Sequence, residues 1–473
     1  MIAERHPDLD LLALARTGPV HFIGVAGAGM SALAELVHRS GGRVTGCDLH
    51  PGVVGETLRR HGIEVLEGHD PTHVEDAVAV VVTAAVPGDE PELEAARARG
   101  VPVLKRAAAL GTLVGGGRVA AVAGTHGKTT TTAMLALALE AAGLDPTAFV
   151  GGRVEAWDGG LRGGAGDLFV VEADEFDRSF LSLRPETAVL TSLEADHLDS
   201  FGSLESLEDA FLAFLGAVPS HGLVTACTDD AGVRRILDRV DAPVLGYGLG
   251  PEAALQAAEL AVTDRGSDFV VLQDGATLGR LRLAVPGRHN VRNALGALAA
   301  ARHMGAAFPD VVAALAEFGG VARRFQELGS ADGVTVVDDY AHHPTEIRAT
   351  LAAARQRYPE RPLVAAFQPH LYSRTRDLHE AFGRALAEAD GVWVTDVYPA
   401  REPPIPGVTG ELVARAADAA GAPTRYHPDV DDLPEALLMA LRPGDVCIVM
   451  GAGDVDRAAR KLLELLGHGP GGD

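Results

Sequence analysis

Residues 124–130 read Gly-Thr-His-Gly-Lys-Thr-Thr and follow directly on an apolar run, 119–123. A strand feeding a glycine loop, then a lysine and hydroxyls at a helix start, is suited to a nucleoside triphosphate. The backbone N–H groups of Gly124, Thr125, His126 and Gly127 face phosphate, Lys128 neutralises charge, Thr129 reaches Mg²⁺ and Thr130 meets a phosphate oxygen. The loop is shorter than a Walker A loop, because position 122 is Val where that pattern needs glycine. The chain has only three lysines, Lys105, Lys128 and Lys461, among 41 basic residues. A lysine in this loop therefore reads as a chemical requirement.

Two more strand-like runs, 168–172 and 188–191, lead into acidic segments, Glu-Ala-Asp-Glu-Phe-Asp (172–177) and Glu-Ala-Asp-His (194–197). Ligands of parallel sheets bind beyond the carboxyl ends of the strands, so Glu172 and His197 are expected to flank Lys128 and to join Thr129 around a hard cation. A separate loop, 24–32, places Gly27, Gly29 and Ala32 in a G-x-G-x-x-A pattern, and Asp48 closes the next strand. On its own that pattern fits a nicotinamide dinucleotide, a UDP-sugar diphosphate or a structural turn. With a second nucleotide loop in the same chain, it favours an ATP-driven enzyme acting on a nucleotide-linked substrate.

Asn290 and Asn293 open an Ala-rich helix, where they could read an adenine edge or cap the helix. Arg323 and Arg324 lie at a domain boundary, and Arg324 is placed to meet a γ-phosphate in the manner of an arginine finger. Two post-strand segments, 338–346 and 368–376, bring His342, His343, His370 and Arg374 to one rim, which suits a small carboxylate such as an amino acid. Zinc ligation by those histidines has no nearby cysteine or H-E-x-x-H pattern to support it.

The elements that must position these groups alternate strand and helix, which predicts parallel α/β sheets. Glycine-rich stretches near 111–117 and 319–320 predict three domains, 1–110, 111–320 and 321–473, and short alternating runs in 224–285 predict inserted antiparallel strands. A net charge of −24 repels phosphate backbones and argues against nucleic acid as a partner. No apolar run of membrane-spanning length and no leader pattern is read, so a cytoplasmic location is expected. Cys47, Cys227 and Cys447 are widely spaced beside apolar runs and are expected to be buried thiols.

Taken in order, these motifs resemble those of the Mur ligases over nearly the whole chain. The residues that carry the resemblance are 124–130, 172–175, 194–197, Gly-Arg-His-Asn-Val-Arg-Asn (287–293), Arg-Arg-Phe (323–325), Asp-Asp-Tyr-Ala-His-His-Pro-Thr-Glu (338–346) and Phe-Gln-Pro-His (367–370). The resemblance implies N- and C-terminal Rossmann-like sheets flanking a central P-loop-type ATPase domain. It implies an ATP-dependent ligase of peptidoglycan synthesis that joins L-alanine to the lactyl carboxylate of UDP-N-acetylmuramate through an acyl phosphate. By resemblance, Lys128, Glu172, His197 and Arg324 are catalytic, and Thr129, Glu172 and His197 hold Mg²⁺. Asn290, Asn293, Arg324 and Asp339 serve ATP, while Gly27, Gly29, Asp48, His69 and Thr83 meet the UDP-sugar. Tyr340, His342 and Arg374 hold alanine, and the enzyme is expected to be a monomer or homodimer. Sibling ligases that bridge magnesium with a carbamylated central lysine differ here, because no lysine lies between Lys128 and Lys461. Leu371 stands where many relatives have arginine.

Overall fold

A computed structural model describes residues 9–83, 86–196, 198–400 and 402–467. His197, expected as a catalytic and metal-binding residue, lies outside the described residues. The chain divides into two compact units. The first runs to Ala257 and includes 271–278 and 292–315; the second comprises 258–270, 279–291 and 316 onward.

The first unit begins with five strands: β1 (Pro19–Ile23), β2 (Arg43–Asp48), β3 (Glu64–Glu67), β4 (Ala79–Val82) and β5 (Val103–Lys105). They form an all-parallel sheet in the order β3-β2-β1-β4-β5. Strand order reverses between β1 and β4, and the first glycine loop follows β1 at that point. This is where open α/β sheets leave a crevice for ligands.

A second sheet is built from β6 (Arg118–Ala123), β7 (Thr147–Val154), β8 (Gly159–Arg162), β9 (Leu168–Glu172), β10 (Thr187–Leu190), β11 (Leu223–Cys227) and β12 (Val244–Gly248), in the order β12-β11-β10-β6-β9-β7-β8. β6 is the centre, parallel to β9 on one side and β10 on the other. The ends of β9 and β10 therefore flank the phosphate loop, as parallel pairing requires. All but one residue of β6 is buried, and so is all of β10. The absence of an alternating pattern marks strands covered on both faces.

The stretch 224–285 departs from its antiparallel reading. β11 and β12 are parallel, with Val224 opposite Val244, and β12 runs parallel to the start of β13 (Leu255–Thr263). Only β13, β14 (Gly266–Gln273) and β15 (Ala276–Leu283) are joined by the two-residue connections that antiparallel neighbours permit. At the second connection Asp274 has φ +50° and Gly275 φ +80°, the tight Asp-Gly hairpin turn. Near 111–117 the chain is helical through Val114, and a Cβ on Gly111 would lie 2.5 Å from the Ser182 carbonyl oxygen.

The second unit carries β16 (Gln326–Ala331), β17 (Val334–Asp339), β18 (Leu363–Phe367), β19 (Gly391–Val394), β20 (Thr424–Tyr426) and β21 (Val446–Met450). Their order is β16-β17-β21-β18-β19-β20, parallel except at the β16–β17 edge. β17 and β21 are buried throughout. The three sheets together make the expected α/β architecture. No described helix is long and apolar enough to cross a membrane.

Candidate active site

The loop after β6 turns through two left-handed glycines. Gly124 has φ +131°, and a Cβ there would lie 2.2 Å from Thr191 Oγ1. Gly127 has φ +82° and caps the helix Lys128–Ala141; a Cβ there would lie 2.6 Å from Asn293 Oδ1. Both conformation and space thus exclude side chains at these positions. Asn293, expected to serve the nucleotide, is against the loop. The loop is stitched to the residues after β10: Thr125 N donates to Ser192 O (3.0 Å), His126 N to Ser192 Oγ (2.8 Å) and Glu194 N to Thr125 Oγ1 (2.9 Å). We expect Gly127→Ala to weaken ATP and ADP binding roughly tenfold or more, since a left-handed alanine costs about 1–2 kcal/mol before the Asn293 clash is counted. Nucleotide titration by calorimetry checks this; an unchanged affinity would contradict the loop's role.

Lys128 Nζ donates to Gly124 O (2.7 Å), Thr125 O (3.3 Å) and Glu175 Oε2 (2.7 Å). Burial pulls its pKa down, but the charges of Glu175, Asp174 and Glu172 together with the Glu175 hydrogen bond outweigh it and raise the pKa. The ammonium is therefore held charged inside the loop. Glu175 is 1% exposed and is a residue that the sequence reading missed. Its place is set by a kinked turn in which Asp177 and Arg178 have φ +54° and +57°.

Thr129 Oγ1 donates to Glu172 Oε1 (2.8 Å), and Glu172 Oε2 accepts from Gly151 N (2.5 Å). Mg²⁺ takes hard oxygen ligands at 2.0–2.1 Å in an octahedron, so neighbouring ligands lie about 2.9 Å apart. The Thr129–Glu172 pair has that separation and that chemistry. The donor set present fits the ion.

The first glycine loop opens onto the same region. Gly24 (φ +79°) and Val25 donate from their N–H groups to Cys47 O at 2.9 and 3.0 Å. Gly27 caps the helix Ala28–Arg39, and a Cβ on Gly29 would meet Arg106 Nη1 at 2.9 Å. A cleft of about 290 Å³ is lined by Gly27, Gly29, Thr83 and Arg106 at one end and by Gly151, Glu172 and Asp174 at the other. It joins the dinucleotide-type loop to the metal pair. Arg106 was not anticipated, although its position as the first residue after β5 is legible. Asp48 and His69 are placed differently from Gly27 and Thr83. The Asp48 carboxylate accepts from Ala26 N and His50 N, both at 3.0 Å, and so braces the loop. His69 Nδ1 faces Cys47 Sγ and Glu92 at 3.3 Å.

In the second unit, Asp339 accepts from Phe325 N and Ala341 N, both at 2.7 Å. It thereby fixes the Arg323–Phe325 turn, where Arg323 and Phe325 have φ +59° and +51°. The Arg323 and Arg324 guanidinium groups each lie 5.0 Å from the Tyr340 ring centre, a cation–π arrangement. His342 stands edge-on to Tyr340 (5.4 Å) and to His370 (6.0 Å), and His370 stacks on Tyr398 (5.7 Å). Arg374 Nη1 lies 3.4 Å from His370 Nδ1. Tyr340, His342 and Arg374 are thus brought together with His370, and Tyr398 is added to them. His343 instead caps the helix Pro344–Arg357 in a capping box with Glu346. Asn290 Nδ2 donates to Pro286 O (2.7 Å), the local bond of a helix start. Leu371 is buried, left-handed at φ +70°, and starts the helix Tyr372–Leu386. Strain of this kind in a bulky residue concentrates at functional sites.

Asp338 and Asp339 are buried, and burial is the main cause that pushes each carboxyl from 3.8 up to about 6, against the pull of Arg323 and Arg324. A raised carboxyl pKa contributes stability that is present below about 4 and lost as pH rises through about 6. We therefore expect the wild type to gain up to about 3 kcal/mol relative to Asp338→Asn as pH falls from 7 to 4. Denaturant unfolding of both proteins across that range measures it, and a difference independent of pH would contradict it.

Models of the Mur ligase family match three successive stretches. The Mur ligase family catalytic domain covers 19–118, the Mur ligase middle domain 122–301 and the Mur ligase glutamate ligase domain 323–453. The chain is 45% identical to the UDP-N-acetylmuramate–L-alanine ligase of Solidesulfovibrio magneticus over 448 residues, 94% of this chain and 97% of that one. The chain belongs to the Mur ligase family. Among solved structures, the UDP-N-acetylmuramate–alanine ligase of Thermotoga maritima superposes with a TM-score of 0.81 at 30% identity, covering 94% of this chain and 98% of that one. The murein peptide ligase of Psychrobacter arcticus gives 0.69 at 27%, covering 95% and 99%. As a Mur ligase, this chain carries its only central lysine inside the phosphate loop, where Glu175 already engages it.

Proposed function

We infer that this Mur ligase joins L-alanine to the lactyl carboxylate of UDP-N-acetylmuramate at the expense of ATP, in peptidoglycan precursor synthesis. The single observation that carries the reading is the continuous cleft from Gly27, Gly29 and Arg106 to Glu172. It lets a nucleotide-linked acid anchor its diphosphate at one end and present its carboxylate beside the phosphate loop. The high identity to L-alanine ligases over nearly the full length supports the choice of amino acid.

In this reading the carboxylate attacks the γ-phosphate, ADP leaves and an acyl phosphate forms. The amine then attacks the acyl carbon and phosphate departs. The chain's contribution is positioning and charge neutralisation. Lys128 and the N–H groups of residues 124–130 hold the transferring phosphate. Thr129 and Glu172 would hold Mg²⁺, which supplies charge neutralisation of the phosphate oxygens when bound. Tyr340, His342 and Arg374 would orient alanine, with Arg374 meeting its carboxylate. Asp48 and His69 act from behind the first loop, supporting the UDP-sugar site. We retain 1–110, 111–320 and 321–473 as the functional domains.

Phosphate release measured across amino acids with UDP-N-acetylmuramate tests the reading. L-alanine should be strongly preferred, and no release should occur without UDP-N-acetylmuramate. Equal turnover with D-glutamate or with a preformed tripeptide would overturn the substrate assignment. The tripeptide outcome would point instead to a sibling peptide ligase.

A further inference from the structure

Strand β1 has one polar side chain in its buried run, and it is a histidine. His21 pairs in register with Thr45, and Ile23 with Cys47, so His21 and Cys47 share one face of the first sheet. The turn Pro71–Val74 and the helix Pro91–Ala98 supply Val74, Leu93 and Ala96 to the apolar layer that holds Ile23 and Cys47. Into this layer the chain sends His21, Cys47, His69, His73, Glu90 and Glu92. Placing so many polar groups in an apolar layer is costly unless something binds them.

Their geometry converges on Glu92, which is fully buried. Cys47 Sγ lies 3.0 Å from Glu92 Oε2 and 3.3 Å from His69 Nδ1, and His69 Nδ1 lies 3.3 Å from Glu92 Oε2. The three atoms form a nearly equilateral triangle of sulfur, nitrogen and oxygen. Tetrahedral zinc, with ligands at 2.0–2.3 Å, places neighbouring ligand atoms about 3.3–3.6 Å apart. Cys47 Sγ, a Glu92 carboxylate oxygen, one ring nitrogen of His21 and one of His73 all lie within 4.8 Å of one another, while His69 groups with Glu90 and Glu92.

A second observation points the same way. His21 is wholly buried; its Nδ1 pairs with Thr45 Oγ1 at 2.9 Å, while its Nε2 has no hydrogen-bond partner. Glu90, 7% exposed, has a buried Oε1 that also lacks one, and it groups with His69 and Glu92. Unsatisfied buried atoms are rare in folded proteins and call for an explanation, an ion among them.

We propose that Cys47, His73, Glu92 and His21 Nε2 form a binding site for a zinc-class transition-metal ion beneath the first glycine loop. His69 braces the set from outside through its 3.3 Å contacts to Cys47 Sγ and Glu92 Oε2. The mixed thiolate, imidazole and carboxylate set selects zinc over magnesium or calcium. Binding breaks the Cys47 S–H bond, releases that proton to solvent and forms a sulfur–metal bond, with no change of oxidation state. Because Cys47 O accepts from Gly24 N and Val25 N, the ion would fix the floor of the nucleotide loop.

The full chain, stripped with chelator and titrated with Co²⁺, tests this. One equivalent should bind and give a thiolate-to-cobalt charge-transfer band that zinc abolishes. Cys47→Ser should lose the band and about 100-fold or more in affinity, and His21→Gln at least about tenfold. Absence of the band in the wild type, or its survival in Cys47→Ser with Cys227 and Cys447 intact, overturns the site. Should Cys47→Ser fail to fold, X-ray absorption on the zinc-loaded wild type decides: one sulfur ligand supports the site, and an all-nitrogen-and-oxygen shell refutes it.

Discussion

Lys128→Ala should lose activity by about 10²–10³-fold or more at saturating substrates, the scale for removing a charge-stabilising donor from a developing oxyanion. It should also lose stability, and the two losses have different origins. In the absence of nucleotide the Lys128 ammonium is the counter-charge of Glu175, at 2.7 Å, with side chains 13% and 2% exposed. Truncating the lysine breaks a buried ion pair, which typically costs about 3–5 kcal/mol. Lys128→Ala combined with Glu175→Gln removes the carboxylate charge as well. The double variant should recover most of the thermal stability and none of the phosphate release. Melting temperature and single-turnover ADP formation on both proteins separate the effects. Recovery of turnover in the double variant would mean that Lys128 serves the fold and not the phosphate.

The Lys128–Glu175 pair also marks how far the sequence could be read. β9, β18 and β21 begin and end where their apolar runs do, because buried parallel strands need unbroken hydrophobic stretches. The glycine loops were legible because Gly124 and Gly127 must be glycine, on both conformation and space. Glu175 was legible as an acid but not as the lysine's partner. Its position depends on two non-glycine residues in left-handed conformations, which no local propensity predicts. Asp48 shows a role the motif does not reveal. The resemblance gives it to the UDP-sugar, and in this chain its carboxylate also accepts from Ala26 N and His50 N, bonds that depend on how the loop after β1 folds back over the end of β2. The parallel entry of β12 and β13 was missed for a similar reason. Strand direction is set by where the chain returns, and short alternating runs look the same in either sense. The rim of His342, His343, His370 and Arg374 was read from two post-strand segments whose strands both border β21, and of these His343 is taken up by the helix cap instead. Tyr398 joined it from a third segment with no motif of its own.

Glu172→Gln should be nearly as damaging as loss of the lysine while leaving the fold intact. The glutamine carbonyl can still accept from Gly151 N or from Thr129 Oγ1, the two bonds that the carboxylate now makes. What disappears is one negative charge 2.8 Å from the threonine hydroxyl, half of the oxygen pair suited to magnesium. Turnover should fall about 10²–10³-fold, and the Mg²⁺ concentration for half-maximal rate should rise at least about tenfold. The melting temperature in the absence of ligand should change little. Binding of UDP-N-acetylmuramate should also change little, because the diphosphate end of the cleft, at Gly27, Gly29 and Arg106, is untouched. A variant that kept its Mg²⁺ dependence and lost only sugar-nucleotide affinity would assign Glu172 to the substrate side of the cleft instead. A variant that lost both would show the cleft acting as one site from the first glycine loop to the phosphate loop, with Glu172 as the shared wall.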